Sequence, residues 1–242
     1  MVIIDAHCHL SNRMGAGPAS VLITGMDASG IDKAIVFGEN EFVAESAKMY
    51  PERLIPFFYF NPRNEDAQLE ELKKHAGDYG WKGVKIGHES ALARSLYDVM
   101  EIAEKYDLIY VHHSGHGNEF HPYIIGDLAN SFPKVRTVLL HMGGGMCLDL
   151  ELASTKIAEK NPNIYLETCY SHPYAIGQAV ERLGPERVIF GSDASNNGYA
   201  SHYEKPGLYQ EVHLNAIRLI DLPKKKEEIV LGGAASKLLG GE

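Results

Sequence analysis

The chain has 242 residues, 45% hydrophobic and 23% charged, the balance of an ordinary globular protein with enough apolar material for a sizeable core. A formal net charge of −9 and a pI near 5.7 argue against nucleic acid or an anionic membrane as the main partner. Three dispersed cysteines without a CxxC pattern suit free thiols, no secretory leader pattern opens the chain, and no apolar run approaches the ~18 residues of a membrane span, so a cytoplasmic protein is expected.

The first apolar run, VIID (2–5), reads as a buried strand and leads directly into HCH. Residues two apart on an extended chain share a face, so His7 and His9 are expected side by side, with Asp5 below them. KAIVFG (33–38) is the second strand, followed by an amphipathic stretch (41–50) that ends before Pro51. LIPFFYF (54–60) is the third, and Asn64 is placed to cap a helix over 64–79. GVKIG (83–87) is the fourth and carries Lys85; a helical stretch over 93–107 follows. LIYVHH (108–113) ends in His112 and His113, which strand alternation turns to opposite faces. VRTVLLH (135–141) ends in His141, with a helix over 148–161. NIYLET (163–168) carries Glu167, and the next helix (174–184) stops at Gly184–Pro185. RVIFGSD (187–193) ends in Asp193, and helical stretches over 208–220 and 224–240 complete the chain as given.

Near-continuous apolar strands alternating with amphipathic helices predict a (β/α)8 barrel, read as a single domain over 1–242. The open doubly wound sheet is the alternative, but AHCHLSNRMGAG after the first strand does not form GxGxxG. In a (β/α)8 barrel the reactive groups sit at the C-terminal ends of the strands. A lone histidine near a core is more often a hydrogen-bonded structural residue than a ligand, so the weight lies in the set. His7 and His9 on one strand, a further histidine from across the barrel, and Asp193 on the strand that barrel closure sets beside the first form a nitrogen and oxygen donor set for a divalent ion such as zinc.

The series DAHCH, GVKIG, HHSG, LLHMGGG and IFGSD, in that order from residue 2 to about 193, resembles the motifs of the amidohydrolase superfamily, in its amidohydrolase-related branch of metal-dependent hydrolases and non-oxidative decarboxylases. The resemblance implies a distorted (β/α)8 barrel. It implies His7, His9, His113 and Asp193 as metal ligands, with Asp193 also handling protons and His141 acting in catalysis. Binuclear members bridge two ions with a lysine carbamate or a glutamate at the fourth strand, where Lys85 stands. In this branch a lysine in GVK is common without a second ion, so one divalent ion is expected, with zinc as its identity. Lys85 keeps two readings, a core-edge residue paired with Glu167 or Asp193 and a substrate-binding residue; Arg13, the basic residue close to HCH, is expected to meet substrate.

The expected activity is hydrolysis of a small-molecule amide, lactone or ester through a metal-activated water. The short chain favours this over decarboxylation, which needs an extra cation for the substrate carboxylate. A TatD-like nuclease also begins with a segment resembling DAHCHL, but carries glutamate where this chain has Lys85; against a non-catalytic scaffold that keeps the metal stands the presence of all the ligands together with His141. The partner is a small molecule, with no membrane or nucleic acid, and a homodimer is compatible with the sequence. Cys8 is expected to face the helix layer, Cys147 and Cys169 to be buried thiols, and Glu167 to orient a ligand. His116, His121, His172 and His202 are expected in rim loops.

Overall fold

The structure, a computed structural model, describes residues 1–11, 18–87, 93–115, 120–194 and 205–241. Its strands are short and all parallel. β1 (Ile4–Leu10) pairs with β2 (Lys33–Gly38), and β2 with β3 (Leu54–Pro56). β4 (Phe58–Phe60), β5 (Gly83–Ile86), β6 (Ile109–His112), β7 (Thr137–Leu139), β8 (Ile164–Glu167) and β9 (Val188–Ile189) pair in chain order as a second sheet. Two seams join the sheets into a ring. At one, the Phe57 amide donates to the Val36 carbonyl; at the other, Ala6 donates to Phe190 and His9 to Ala194, so β1 lies against β9.

Parallel strands need covered faces. The outer face is covered by α1 (Ala19–Ser29), α2 (Asn40–Met49), α3 (Glu65–Gly77), α4 (Ala93–Tyr106), α5 (Pro122–Ser131), α6 (Leu148–Lys160), α7 (Pro173–Leu183) and α8 (Leu208–Arg218). Inside the ring a second cluster packs Ile4, Ile35, Phe57, Ile109, Val138 and Ile189. The last segment, α9 (Lys224–Glu228), a π-turn (Ile229–Gly233) and α10 (Ala234–Leu238), closes the N-terminal mouth with Ala234, Ala235 and Leu238.

Where structure and sequence reading part, packing gives the reason. The third predicted strand is split at Phe57, which turns into the barrel beside Gly83; a Cβ at Gly83 would lie 2.1 Å from the Phe57 ring. α1 and α5 were not expected: each begins at a proline and carries an internal glycine, Gly25 or Gly126, which weakens its helical signature. The predicted helix over 224–240 is interrupted by the π-turn.

The first strand runs on through HCH, and its register shifts within that run: Asp5 faces Ala34 but Cys8 faces Val36. One residue is therefore extra in β1, a bulge that inverts the side-chain alternation. Ala34, Val36 and Cys8 belong to the outer core, so Asp5 and Cys8 point outward while His7 and His9 turn inward. This bears out the outward placement of Cys8 and corrects that of Asp5. Its carboxylate instead accepts from the Ser192 amide at 2.9 Å and the Ser192 hydroxyl at 2.5 Å, fastening the segment that leads to Asp193. Burial pushes the Asp5 carboxyl up to about 7, against the pull of the Ser192 hydrogen bond.

Phe57 fills the seam between the two sheets, and its truncation leaves a cavity the rigid strands cannot close. Phe57→Ala should lower the unfolding free energy by about 3–5 kcal/mol in urea; a loss under about 1 kcal/mol would show that the seam does not depend on this ring.

Candidate metal centre

At the C-terminal mouth of the barrel, the bulge in β1 and its closure against β9 bring three side chains to one point. His7 Nε2 is 3.1 Å from His9 Nε2, and Asp193 Oδ1 is 3.1 Å from the first and 3.0 Å from the second. The lysine of β5 reaches the same place: Lys85 Nζ is 3.0 Å from both imidazole nitrogens. Its ammonium lies 4.7 Å from the centroid of the Phe37 ring. Asp193 adopts φ 55, a left-handed conformation that holds its carboxylate in the mouth.

These donors suit a divalent cation. Lone pairs of two imidazoles and a carboxylate repel one another at such distances unless a positive charge lies between them. Although Asp193 Oδ1 is buried and close to both rings, it accepts no hydrogen bond of sound geometry from either. Ligand distances of about 2.0–2.2 Å at angles between 90° and tetrahedral span about 2.8–3.6 Å between donors, which brackets the observed spacing.

Under this triangle lies a buried polar layer. Glu167, on β8, has Oε2 3.2 Å from His7 Nδ1 and accepts from the His141 amide at 3.1 Å. Cys169, two residues on, has its sulfur 2.9 Å from His141 Nδ1, 3.2 Å from Glu167 Oε2 and 3.4 Å from His7 Nδ1. Close approach of the chain makes this layer possible: at Gly191 a Cβ would lie 2.3 Å from Glu167 Oε1 and 2.9 Å from the His7 Cβ. His141 and Met142 follow β7 at φ 56 and φ 47, a left-handed turn that sets the His141 ring beneath the mouth.

Burial pushes the His7 imidazole well below its usual pKa, with Lys85 adding to the effect. Burial lowers Lys85 to about 8, against the attraction of Asp193. It also lowers His141 and His112 to about 4 each. For Asp193, burial pushes upward but His7 and His9 win, leaving the carboxyl well below the usual range. Burial, helped by Glu167, pushes the Cys169 thiol far up, so it stays protonated.

The mouth opens into a cleft of about 600 Å³, bounded by His7, His9, His113, Lys85 and Asp193 on one side and by Glu39, Asn61, Gln68 and Glu71 on the other. His7, His9 and Asp193 form the tight group; His113 lines the same cleft but joins the cluster through His141, its Nδ1 lying 3.2 Å from His141 Nε2. His141, expected to act in catalysis, has its Nε2 3.2 Å from His113 Nδ1. His112 points outward as expected and is buried, its Nδ1 donating to the His113 carbonyl. Arg13, His116 and His202 lie outside the described residues. His121 and His172 cap α5 and α7, each accepting from a tyrosine amide two residues on. Cys147 is half-buried rather than buried.

Two neighbours escaped the sequence reading. Cys169 could have been found by applying alternation from Glu167. His213, on α8, is buried edge-on against Tyr170, with ring centroids 4.9 Å apart; only the folded chain shows this.

The sequence matches the Amidohydrolase family over residues 4–241. No curated protein matches it. Among solved structures it is similar to 5-carboxyvanillate decarboxylase from Sphingomonas paucimobilis, with 16% identity and TM-score 0.68 over 100% of this chain and 99% of that one. It is similar to a probable 2-pyrone-4,6-dicarboxylic acid hydrolase from Acinetobacter baumannii with citric acid bound, at 16% identity and TM-score 0.68 over 99% of this chain and 100% of that one. A third is 5-carboxyvanillate decarboxylase from Novosphingobium aromaticivorans complexed with manganese, at 14% identity and TM-score 0.70 over 99% of this chain and 96% of that one. At such identities the likeness establishes the shared (β/α)8 fold.

The depressed histidines give a pH signature in metal-stripped protein. The unfolded chain protonates them near 6.5 and the folded chain only near 4. Each therefore weakens the fold as pH falls through that window, by up to about 1.4 kcal/mol per pH unit. Asp5, raised to about 7, acts in the opposite sense as pH falls from 7. Ring resonances separate the contributions: those of His112 and His141 should keep their neutral shifts down to about pH 5. Titration of either near 6.5 would contradict the buried placement.

Proposed function

The chain belongs to the amidohydrolase family, and from that premise we propose that it is a metal-dependent hydrolase of a small-molecule amide, lactone or ester, with His7, His9, His113 and Asp193 holding one divalent ion. The supporting observation is the convergence of His7 Nε2, His9 Nε2 and an unsatisfied Asp193 Oδ1 at 3.0–3.1 Å. When bound, the ion supplies a Lewis acid and an activated water with a pKa near ~7. Zinc suits imidazole and carboxylate donors, and we assign it here; manganese, held by one structural neighbour, is the competing ion.

The chain's own groups divide the remaining work. Asp193, held ionised, accepts the proton released from water at its carboxylate and delivers it to the leaving group. Lys85, on the wall of the cleft, would donate to the substrate, and Arg13, outside the described residues, is proposed as a second substrate-binding residue. His141 holds His113 from below.

The cleft favours hydrolysis over decarboxylation. Its described wall carries Glu39, Glu41 and Glu71, and Lys85 is the cationic residue lining it among the described residues. Such a wall suits a neutral substrate and repels an aromatic carboxylate. No helix among the described residues is long and apolar enough to cross a membrane. The three free cysteines fit a reducing compartment, and we place the protein in the cytoplasm as one domain.

Purified protein should hold about one divalent ion per chain, measured by elemental analysis, and turn over members of a panel of neutral esters, lactones and amides. The His7→Ala, His9→Ala double variant should lose the ion, and Asp193→Asn should cut kcat/KM by about 10²–10⁴-fold. Stoichiometric metal in the double variant would remove the assignment, and turnover confined to decarboxylation of aromatic acids would replace hydrolase with lyase.

A further inference from the structure

Glu167, Cys169 and His141 are buried beneath the mouth, and the reaction above does not explain their exact partners. Their contacts form one connected path. His113 Nδ1 meets His141 Nε2 at 3.2 Å, His141 Nδ1 meets the Cys169 sulfur at 2.9 Å, and that thiol donates to Glu167 Oε2 at 3.2 Å. From the other side, His7 Nδ1 meets the same carboxylate oxygen at 3.2 Å. The backbone holds the acceptor in place: the Cys169 amide donates to Glu167 Oε1 at 2.6 Å and the His141 amide to Oε2 at 3.1 Å.

The direction of this path is constrained by chemistry. An imidazole that binds a cation offers the lone pair of one nitrogen and keeps its proton on the other. His7 turns Nε2 to the mouth, so its Nδ1 carries the proton and donates to Glu167. If His113 offers Nε2, its Nδ1 donates to His141 Nε2. His141 is then protonated on Nδ1 and donates to the Cys169 sulfur, and the thiol in turn donates a hydrogen bond to Glu167 Oε2. The opposite direction would make His113 Nδ1 an acceptor and leave its proton on Nε2, blocking the nitrogen the ion needs.

We propose that Cys169 and Glu167 are positioning residues of a hydrogen-bond relay, His113 to His141 to Cys169 to Glu167, that commits the Nε2 atoms of His113 and His7 to one ion. The inference rests on the metal reading above. The donors of His7, His141, Glu167 and Cys169 lie within 4.8 Å of one another, so a second ion among them is the rival occupant. The relay is favoured because Glu167 Oε2 already receives the thiol and the His141 amide, and because the 2.9 Å between the Cys169 sulfur and His141 Nδ1 is shorter than the about 3.0–3.5 Å that separates a sulfur and a nitrogen bound to one ion.

The test needs no substrate. In zinc-loaded wild-type protein labelled with nitrogen-15 at histidine, the ring protons of His7, His113 and His141 should all sit on Nδ1. Zinc affinity, measured by competition with a chromophoric chelator, should fall about 10–100-fold in Cys169→Ala and in Glu167→Gln. Cys169→Ser, which can both accept and donate, should recover most of that loss. A His141 proton on Nε2 in the zinc-loaded protein overturns the relay, and this reading stands on wild-type protein even if a variant fails to fold. Unchanged zinc affinity in folded Cys169→Ala also overturns it. Two bound ions, one of them lost in Cys169→Ala, overturns it in favour of a second metal site. A wild-type chain that binds neither zinc nor manganese overturns the metal reading and the relay together, whereas the other outcomes strike the relay alone.

Discussion

Three lone-pair atoms held within 3.0–3.1 Å of each other are an unfavourable arrangement that the fold imposes, and the mouth of this barrel is organised around it. Without the Lys85 ammonium, 3.0 Å from both ring nitrogens, or a bound cation, these donors would repel one another. They are kept together because each sits on backbone that cannot move. The bulge in β1 turns His7 and His9 inward on consecutive inward positions, and ring closure sets β9 beside them. Asp5, turned outward by the same bulge, fastens Ser192 and so delivers Asp193. The left-handed backbone at Asp193 and at His141 costs of order 1–3 kcal/mol each, held by the surrounding strands.

The electrostatics follow from burial. Imidazoles removed from water stay neutral and keep a lone pair, which a cation requires of its ligands. Lys85 is drawn among them and shares its ammonium between two ring nitrogens. That contact shows that both nitrogens accept, since an ammonium has only protons to give. The sequence reading paired Lys85 with a carboxylate or with substrate; the structure gives it the two histidines as hydrogen-bond partners.

The barrel was legible because eight apolar runs alternate with amphipathic segments, a signal that needs no tertiary information. The finer geometry was not. A bulge leaves no mark in composition, so simple alternation put Asp5 on the wrong face. The split at Phe57 depends on the space left by Gly83, twenty-six residues further on, and helices that begin at proline and contain glycine lack a clean period. At the site, His7, His9 and Asp193 could be read from strand ends. Cys169 is the buried thiol expected from the sequence, but its contacts with His141 and Glu167 arise only when the sheet closes and leave no mark in the local sequence. His213 had no signal at all, since its burial against Tyr170 depends on how α8 docks.

The central claim is that one cation belongs between His7, His9 and Asp193. Anomalous diffraction at the manganese edge from crystals grown with manganese tests it directly, without reference to substrate or rate. A single strong peak per chain is expected, bonded to His7 Nε2, His9 Nε2, His113 Nε2 and an Asp193 carboxylate oxygen, with Lys85 Nζ withdrawn from the two imidazoles. A mouth free of anomalous density, with Lys85 still bonded to both rings while manganese is bound elsewhere, would contradict it.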